Sequence, residues 1–341
     1  MKILHIANFG FNKQGAHFYC TDRKISAGLI ENGHFVYDFS FRDMARMGTI
    51  FKTKKLGACW ANKEILKTVQ NLEPDLVLIG HSDLMSPEVL KQIKQMYPKT
   101  KIAFWYVDPL YHEHKLDFIK AFSPYLDAIF STTGGEYLAK LKQSHLSAAY
   151  LPNIGHRNVE ILKQFSNTET DKTFIFCGVV YKEPEREKFL MDLAQALQQV
   201  KINYQFYGCF EHAGVYGKAY YQVLAESKMG LNYSRRNDVT LYSSDRIVQL
   251  TGNGLLTFCP RIPDFEKLYN EQEVVYFDDQ VDLARKIQYF DQQPEYAKLI
   301  AQAGWQKTRQ SFNAKRITQY MLEVTFRQPF SEDYEWSHEV Y

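Results

Sequence analysis

The chain has 341 residues and a mass of 39.9 kDa, which at roughly 100–200 residues per domain predicts about two domains. It carries 41 Lys and Arg against 39 Asp and Glu, a formal net charge of +2, and 45% of its residues are apolar. These values exclude a largely disordered chain, which combines low hydrophobicity with high net charge. They also argue against a protein that binds nucleic acid over its whole surface.

The sequence predicts a cytoplasmic protein. The N-terminal apolar run is too short for a signal peptide, and no stretch approaches the ~20 apolar residues of a membrane span. The five cysteines include no C-x-x-C pair, so we expect reduced thiols.

Short apolar runs alternate with helix-like segments along the first half of the chain. The predicted strands are 2–7, 35–39, 75–80, 101–107, 127–131 and 148–151. Parallel strands need crossover connections, which are usually helices. The alternation therefore predicts a parallel sheet with helices on both faces, formed by residues 1–152.

The same pattern restarts after a polar connector at 153–171. Predicted strands follow at 173–180, 204–207, 229–232, 255–258 and 274–277, and three helical stretches end the series. We therefore predict an α/β fold with two Rossmann-like, doubly wound domains, 1–152 and 172–326. The aromatic tail, 327–341, is expected to pack back on the N-terminal domain.

Several common site motifs are missing from the sequence. There is no G-x-x-x-x-G-K-[ST] phosphate loop, no G-x-G-x-x-G after the first strand and no H-E-x-x-H. The pair His112 and His114 is too small a set to predict a metal site, so surface or core roles are favoured. A nicotinamide dehydrogenase and a zinc hydrolase are both poorly supported.

The second half contains a set of segments whose order is typical of a known protein family. Between 174 and 326 these are Ser244-Asp245-Arg246-Ile247-Val248-Gln249, Asp264-Phe265-Glu266-Lys267-Leu268-Tyr269, Glu273-Val274-Val275-Tyr276-Phe277-Asp278, Gln302-Ala303-Gly304-Trp305 and Phe312-Asn313-Ala314-Lys315-Arg316. This order resembles the C-terminal domain of GT-B glycosyltransferases, nearest to the CgeB-like (spore-maturation-type) group. The resemblance implies a GT-B fold, with two doubly wound domains facing across a cleft.

The resemblance also implies an activity. A GT-B glycosyltransferase, a hexosyl- or related transferase, moves a sugar from a nucleotide-sugar donor to a glycan or lipid-linked acceptor. We expect no cofactor and no metal requirement, and a role in bacterial surface polysaccharide or glycoconjugate synthesis. Fixed cations and helix N-termini can stabilise the charge that gathers on the leaving diphosphate.

Donor contacts are expected from the second domain. The candidates lie at predicted strand ends or near helix starts: Gly178, Lys182, Arg186, Asn232, Arg246 and Gln249. Gly178 would let the backbone approach a phosphate. The family pattern has Glu, expected to hold the ribose hydroxyls, where this chain has Gln249. Gly15, in the first strand–helix loop, is expected to approach the donor sugar or the acceptor.

The catalytic base is expected from the first domain. An inverting transferase needs a group that takes the proton of the acceptor hydroxyl, whereas a retaining one need not use an obvious side-chain base. Candidates on the expected strand edge are His17, Asp22, His81, Asp83 and Asp108. We single out His81, Asp108 and Asp22 as catalytic candidates, although structural hydrogen bonding or turn formation explains His81 and Asp108 equally well.

A basic segment at 42–55 has five Lys and Arg against one Asp, with apolar residues interleaved. This composition is typical either of a surface loop or of a peripheral contact with an anionic membrane, here its inner face.

Two other functions remain open. The same two-domain architecture hosts sugar-nucleotide epimerases, and the change of Glu to Gln249 leaves room for a non-catalytic sugar-nucleotide-binding relative.

Overall fold

The computed structural model describes residues 1–112 and 116–341 in full and the backbone alone of 113–115. The chain divides into two compact units. Unit 1 comprises Met1–Pro152 and Ala314–Tyr341, and unit 2 comprises Asn153–Asn313. Among the residues described in full, no helix is long and apolar enough to cross a membrane.

Unit 1 contains a six-stranded parallel sheet in the order β2-β1-β3-β4-β5-β6. Its strands are β1 Lys2–Ala7, β2 Phe35–Ser40, β3 Leu76–Ile79, β4 Lys101–Tyr106, β5 Ala128–Ser131 and β6 Ser147–Tyr150. The central strand β3, with the sequence LVLI, is buried along its whole length. Such continuous apolar runs arise because both faces of a parallel sheet are covered by helices.

The helices of unit 1 connect these strands. They are α1 Thr21–Glu31, α2 Phe41–Met47, α3 Ala58–Leu72, α4 Pro87–Met96, α5 Glu113–Phe122 and α6 Glu136–Ala139, with 3-10 turns at Phe11–Lys13 and Ser123–Tyr125. Helix α4 begins after Ser86, because the Ser86 hydroxyl accepts a hydrogen bond from the Glu88 amide and Pro87 occupies the first turn.

A helix from the end of the chain completes unit 1. Helix α12, Ala314–Phe326, lies in this unit and not with the predicted C-terminal domain 172–326. Close packing against α1 explains the difference, since a Cβ atom on Gly28 would lie 2.2 Å from the carbonyl oxygen of Ala314. The Asn32 amide also donates to the Lys315 carbonyl at 2.8 Å.

The tail 327–341 lies in unit 1. Val340 forms an antiparallel bridge with Ala149, and the Gly135 amide donates to the Glu339 carboxylate at 2.7 Å. These contacts fix the tail beside β6.

Unit 2 contains a five-stranded parallel sheet in the order β11-β10-β9-β7-β8. Its strands are β7 Lys172–Cys177, β8 Tyr204–Tyr207, β9 Ser227–Leu231, β10 Leu256–Pro260 and β11 Val275–Phe277. Its helices are α7 Pro184–Gln199, α8 Gly217–Ala225, α9 Arg246–Gly252, α10 Gln280–Gln292 and α11 Pro294–Ser311, with 3-10 turns at Gln164–Ser166 and Phe265–Lys267.

The predicted linker, 153–171, is part of unit 2. The buried Gln164 side chain explains why, because its amide donates to the carbonyls of Ala225 at 2.7 Å and Ser227 at 3.1 Å. The polar composition of 153–171 predicted a linker, but hydrogen bonds to α8 and β9 fix this segment within unit 2.

Each sheet reverses its winding direction once beside its first strand. The reversal lies between β1 and β3 in unit 1 and between β7 and β9 in unit 2. At such a point the connections leave in opposite directions, and ligands of open α/β sheets bind in the crevice at the carboxyl ends of these strands. The predicted class, two doubly wound α/β domains, is confirmed, and the topology marks one candidate edge in each unit.

Candidate functional site

A buried arginine lies at the carboxyl end of β7, on the candidate edge of unit 2. Arg246, the first residue of α9, is 9% exposed. Its Nε donates to the Cys177 carbonyl at 2.7 Å and its Nη1 to the Ser244 hydroxyl at 2.9 Å. Its guanidinium carbon lies 5.0 Å from the centroid of the Phe176 ring. The Arg246 side chain is therefore held by the end of β7, by the loop before α9 and by the Phe176 ring.

A second arginine lies against the same groups. Arg186 projects from α7, and its Nη2 donates at 2.8 Å to the Tyr233 carbonyl. Arg246 donates to that same carbonyl at 3.3 Å. Arg186 also lies over Phe176, 5.3 Å from the ring centroid. Two guanidinium groups therefore share one carbonyl oxygen and one aromatic ring, an arrangement that we call the arginine pair.

The positive charge of the arginine pair is only partly neutralised by carboxylates. Burial, and then the charge of Arg186, lower the pKa of the Arg246 guanidinium below its usual range. Glu183 accepts from Arg186 at 2.9 Å but also pairs with Arg235 at 2.8 Å, so its charge is shared. Among the residues whose side chains are described, no carboxylate contacts Arg246. An anion at this edge would be strongly stabilised.

Gly178 lies beside the arginine pair, where a residue with a side chain would not fit. A Cβ atom there would lie 2.7 Å from Nη2 of Arg246 and 3.1 Å from Nη2 of Arg186. That Nη2 atom of Arg246 has no hydrogen-bond partner within the described part of the chain. Because residue 178 has no side chain, the free N–H donors of Arg246 lie next to backbone that no side chain covers.

The substitution Gly178→Ala tests this arrangement. The added methyl would displace both guanidinium groups, so we expect affinity for a nucleoside diphosphate to fall about tenfold and overpacking to destabilise unit 2 by about 1–3 kcal/mol. Calorimetry and thermal melting measure the two effects. Val179→Ala, at the exposed neighbour, is the matched control, and equal affinities of both variants would contradict the role of Gly178.

Two predicted donor residues are buried supports. Asn232 is fully buried, and its amide donates to the Ser243 hydroxyl at 2.9 Å, which fixes the loop before Arg246. Gln249 accepts from the Tyr220 hydroxyl at 2.9 Å and donates to the Asp245 carboxylate at 2.7 Å. Both ends of the Gln249 amide therefore have partners inside unit 2.

The other predicted donor residues do not join the arginine pair. Lys182 is exposed, with its ammonium 5.2 Å from the centroid of the Tyr181 ring. Gly15 belongs to unit 1, where its φ of +88° explains the choice of glycine and a Cβ atom would meet no described atom within 4 Å.

A histidine–aspartate pair lies on the candidate edge of unit 1. Asp22, in the first turn of α1, is buried and accepts from the Asn8 amide at 2.9 Å, just beyond β1. The same Oδ1 atom accepts from Nδ1 of His81 at 3.2 Å, just beyond β3. Because the carboxylate can only accept, Nδ1 carries the hydrogen and Nε2 of His81 is left as the basic nitrogen.

Asp22 and His81 shift each other's pKa in opposite directions. Burial disfavours the charged form of both, yet the hydrogen bond and the opposite charges outweigh it. The pKa of Asp22 is lowered below its usual range, and the pKa of His81 is raised above its usual range, with Asp108 contributing to the latter. The arrangement therefore favours a proton on His81 and a negative charge on Asp22.

The remaining base candidates lie outside this pair. Asp108 is exposed and acts on His81 through its charge, and His17 is half-buried beside Gly10. Asp83 forms ion pairs with two basic residues of the segment 42–55. Asp22 and His81 are therefore the two candidates that a direct hydrogen bond brings together.

Sequence reasoning missed the groups that support His81. Its ring meets the Trp105 ring edge-on, with centroids 5.0 Å apart. The Trp105 indole donates to Nε2 of His5 at 3.0 Å, and Nδ1 of His5 contacts the Ser26 hydroxyl at 2.8 Å. Gly80 accommodates the indole, because a Cβ atom there would lie 2.1 Å from Trp105. The apolar runs of β1 and β4 do not by themselves predict this contact.

Within the part of the chain whose side chains are described, no group of three or more His, Cys, Asp or Glu residues is arranged to hold a metal ion. His114 lies outside those described side chains, and His112 packs against Tyr111 with ring centroids 4.6 Å apart.

Comparisons with known proteins relate part of the chain to a described family. Residues 173–323 match the sequence profile of the family described as "Glycosyl transferase-like". The matched stretch includes both members of the arginine pair. No match was found among curated protein sequences.

Solved structures share the architecture at low sequence identity. Sucrose-phosphate synthase from Thermosynechococcus elongatus aligns with a TM-score of 0.63 at 13% identity, over 96% of this chain and 98% of that one. HepE from Anabaena, in complex with UDP, aligns with a TM-score of 0.59 at 11% identity, over 96% and 100%. A Listeria monocytogenes protein described as a UDP-N-acetylglucosamine 2-epimerase aligns at 0.54 and 12%, over 98% and 99%.

These matches share two parallel-sheet α/β domains, as does the present chain. The sequence profile adds a glycosyltransferase-like character to the unit that carries the arginine pair. The chain thus has the GT-B fold, and its residues 173–323 are similar to the glycosyl transferase-like family.

Proposed function

We propose that the protein is a glycosyltransferase that moves a sugar from a nucleotide-sugar donor to a glycan or lipid-linked acceptor. The observation that carries this proposal is the arginine pair, Arg186 and Arg246, at the carboxyl ends of β7 and β9. It provides two cations with a free donor nitrogen at the edge where ligands of this fold bind.

The leaving group of the reaction explains why such a pair is useful. As the bond between sugar and diphosphate breaks, negative charge gathers on the diphosphate oxygens. Preorganised cations in a partly buried site stabilise that charge without reorganisation. We therefore propose that Arg186 and Arg246 bind the diphosphate without a metal ion, while Asn232 and Gln249 hold the surrounding loop and helix in place.

We assign the acceptor base to unit 1. His81, oriented by Asp22, has a basic Nε2 and a partly exposed side chain, so it can take the proton of an acceptor hydroxyl. Asp108 contributes negative charge that favours the protonated imidazole. This assignment corresponds to an inverting reaction, in which deprotonation accompanies attack on the sugar carbon.

The comparisons support the donor class. HepE was solved with UDP and with UDP-glucose, and the structural match spans almost the whole of both chains. A uridine-diphosphate sugar is therefore the first donor to test. The CgeB-like grouping, a hexosyl specificity, a role in surface polysaccharide or glycoconjugate synthesis and a cytoplasmic location are further parts of this proposal.

The experiment has two steps. Thermal-shift screening against nucleoside diphosphates and sugar nucleotides identifies the donor, because a ligand that binds the folded state raises the melting temperature. Product analysis with that donor then follows, with and without glycan and lipid-linked acceptors. Transfer to an acceptor supports the proposal, and absence of a shift with every nucleotide contradicts it.

The same product analysis distinguishes the two alternatives. A sugar-nucleotide epimerase converts the donor with no acceptor present, and the Listeria match makes this the second candidate. A non-catalytic relative binds the donor but leaves it unchanged. The substitution Gln249→Glu tests whether the missing carboxylate is responsible in that case, since it would restore turnover.

A further inference from the structure

The loop between α2 and α3 in unit 1 presents apolar side chains to solvent. Ile50 is 96% exposed, Phe51 77% and Leu56 65%, and Met47, the last residue of α2, is 73% exposed. Single exposed apolar residues are common on protein surfaces, but a group of large ones within one short loop marks an interaction site.

The base of this loop is packed, so its tip has a defined position. A Cβ atom on Gly57 would lie 1.6 Å from the Ala45 carbonyl oxygen, and one on Gly48 would lie 2.5 Å from the Trp60 ring. A backbone hydrogen bond of 3.1 Å from Lys52 to Thr49 closes a turn at the tip. Both ends of the loop are therefore fixed on helices, while the apolar side chains between them point away from the core.

The charges around the tip are positive and only partly neutralised. Arg42 and Lys54 pair with Asp83 at 2.8 and 3.0 Å, and Arg46 pairs with a residue of its own helix. Lys52 and Lys55 have no ion-pair partner among the described side chains. Of the five basic residues that the sequence singled out, these two remain free to bind an external anion.

We propose that this loop docks on an anionic lipid bilayer, with Met47, Ile50, Phe51 and Leu56 entering the interface and Lys52 and Lys55 binding headgroup phosphates. The combination favours lipid as the partner, because apolar insertion and attraction to anionic headgroups act together at a membrane surface. The docking surface belongs to unit 1 alone, so it does not depend on the proposed sugar transfer.

Sedimentation of the full chain with vesicles tests the proposal. We expect binding to vesicles of phosphatidylcholine and phosphatidylglycerol, little binding to phosphatidylcholine alone, and weaker binding as salt screens the charges. The double variant Lys52→Gln/Lys55→Gln should lose roughly fivefold in binding for each lysine, about 25-fold in all. Ile50→Ser/Phe51→Ser should reduce binding by about tenfold or more, because it removes the inserted area.

Matched controls separate this loop from general effects of charge and hydrophobicity. Lys142→Gln/Lys218→Gln removes the same charge from exposed positions elsewhere, and Val281→Ser/Leu299→Ser removes apolar side chains that are 65% and 64% exposed. Both controls should bind like the wild type. The proposal is overturned if the wild type does not sediment with anionic vesicles, or if control and loop variants lose binding equally.

Light scattering tests whether the loop binds a second copy of this chain and not a lipid bilayer. A dimer in solution that Ile50→Ser/Phe51→Ser dissociates would assign the surface to a second copy of this chain and overturn the lipid assignment. A monomer whose vesicle binding depends on both Lys52 and Phe51 supports it.

Discussion

Replacing Arg246 by alanine is expected to weaken nucleoside-diphosphate binding by about 10- to 100-fold, because hydrogen bonds to charged groups contribute about 1.5–3 kcal/mol. The variant loses the N–H donors that face Gly178 and one of the two charges of the arginine pair. Arg246→Lys keeps the charge but not the planar fork of donors, so we expect an intermediate affinity. Isothermal calorimetry with UDP measures all three proteins.

Arg246 also supports the local structure, so folding must be measured alongside binding. Its loss leaves the carbonyls of Cys177 and Tyr233 without the hydrogen bonds that they accept from it. Circular dichroism and thermal melting identify a variant that fails to fold. Arg285→Ala, which removes a 76% exposed arginine of α10, is the matched control and should bind UDP like the wild type. Unchanged affinity in both Arg246 variants would remove that residue from the site.

Replacing His81 by alanine is expected to reduce sugar transfer by about 10²- to 10⁴-fold, the usual contribution of a general base. Donor affinity should stay within about twofold of the wild-type value, because the proposed diphosphate contacts are made by other residues. His338→Ala removes an exposed imidazole from the same unit and serves as the control. A His81 variant that transfers sugar at the wild-type rate would contradict the assignment of the base.

The pH profile separates a base from a merely structural histidine. Asp22 and Asp108 raise the pKa of His81 above 6.5 against the effect of burial. Since the base must be neutral to accept a proton, the transfer rate should fall as the pH drops through that raised value. In Asp22→Asn the charge and the carboxylate hydrogen bond are lost while burial remains, so the acidic limb of the profile should move to lower pH.

The sheets were predictable because their signal is local. A fully buried parallel strand is a short apolar run between turn residues, and β3 and β7 both have this form. The strand ends were predicted less accurately: the predicted strand 173–180 ends at Cys177, and a Cβ atom on the next residue, Gly178, would meet the arginine pair.

The assignment of α12 to unit 1 depends on contacts that no local pattern encodes. The apolar stripe of α12 is typical of any core-facing helix. Its partner is fixed by the meeting of Gly28 with Ala314, residues that are far apart in the sequence. Helix α2 was missed for another reason, because its short sequence FRDMARM gives too few turns for a reliable period.

The candidate sites were also predicted only in part: the sequence identified the residues but not the contacts between them. The sequence identified Arg186, Arg246, Asp22 and His81, since each is a charged or titratable residue near a strand end or a helix start. It did not predict that Asp22 and His81, 59 positions apart, would share a hydrogen bond. Nor did it predict that the Tyr233 carbonyl would join the two arginines, because a backbone oxygen leaves no trace in the residue type.

The central claim is that fixed positive charge in unit 2 binds a diphosphate, and calorimetry with UDP and uridine on the wild-type protein tests it most directly. The account predicts that UDP binds at least about 100-fold more tightly than uridine, because two guanidinium groups would contact its phosphates. It also predicts that this difference narrows in Arg246→Lys. Equal affinities of the wild type for UDP and uridine would contradict it.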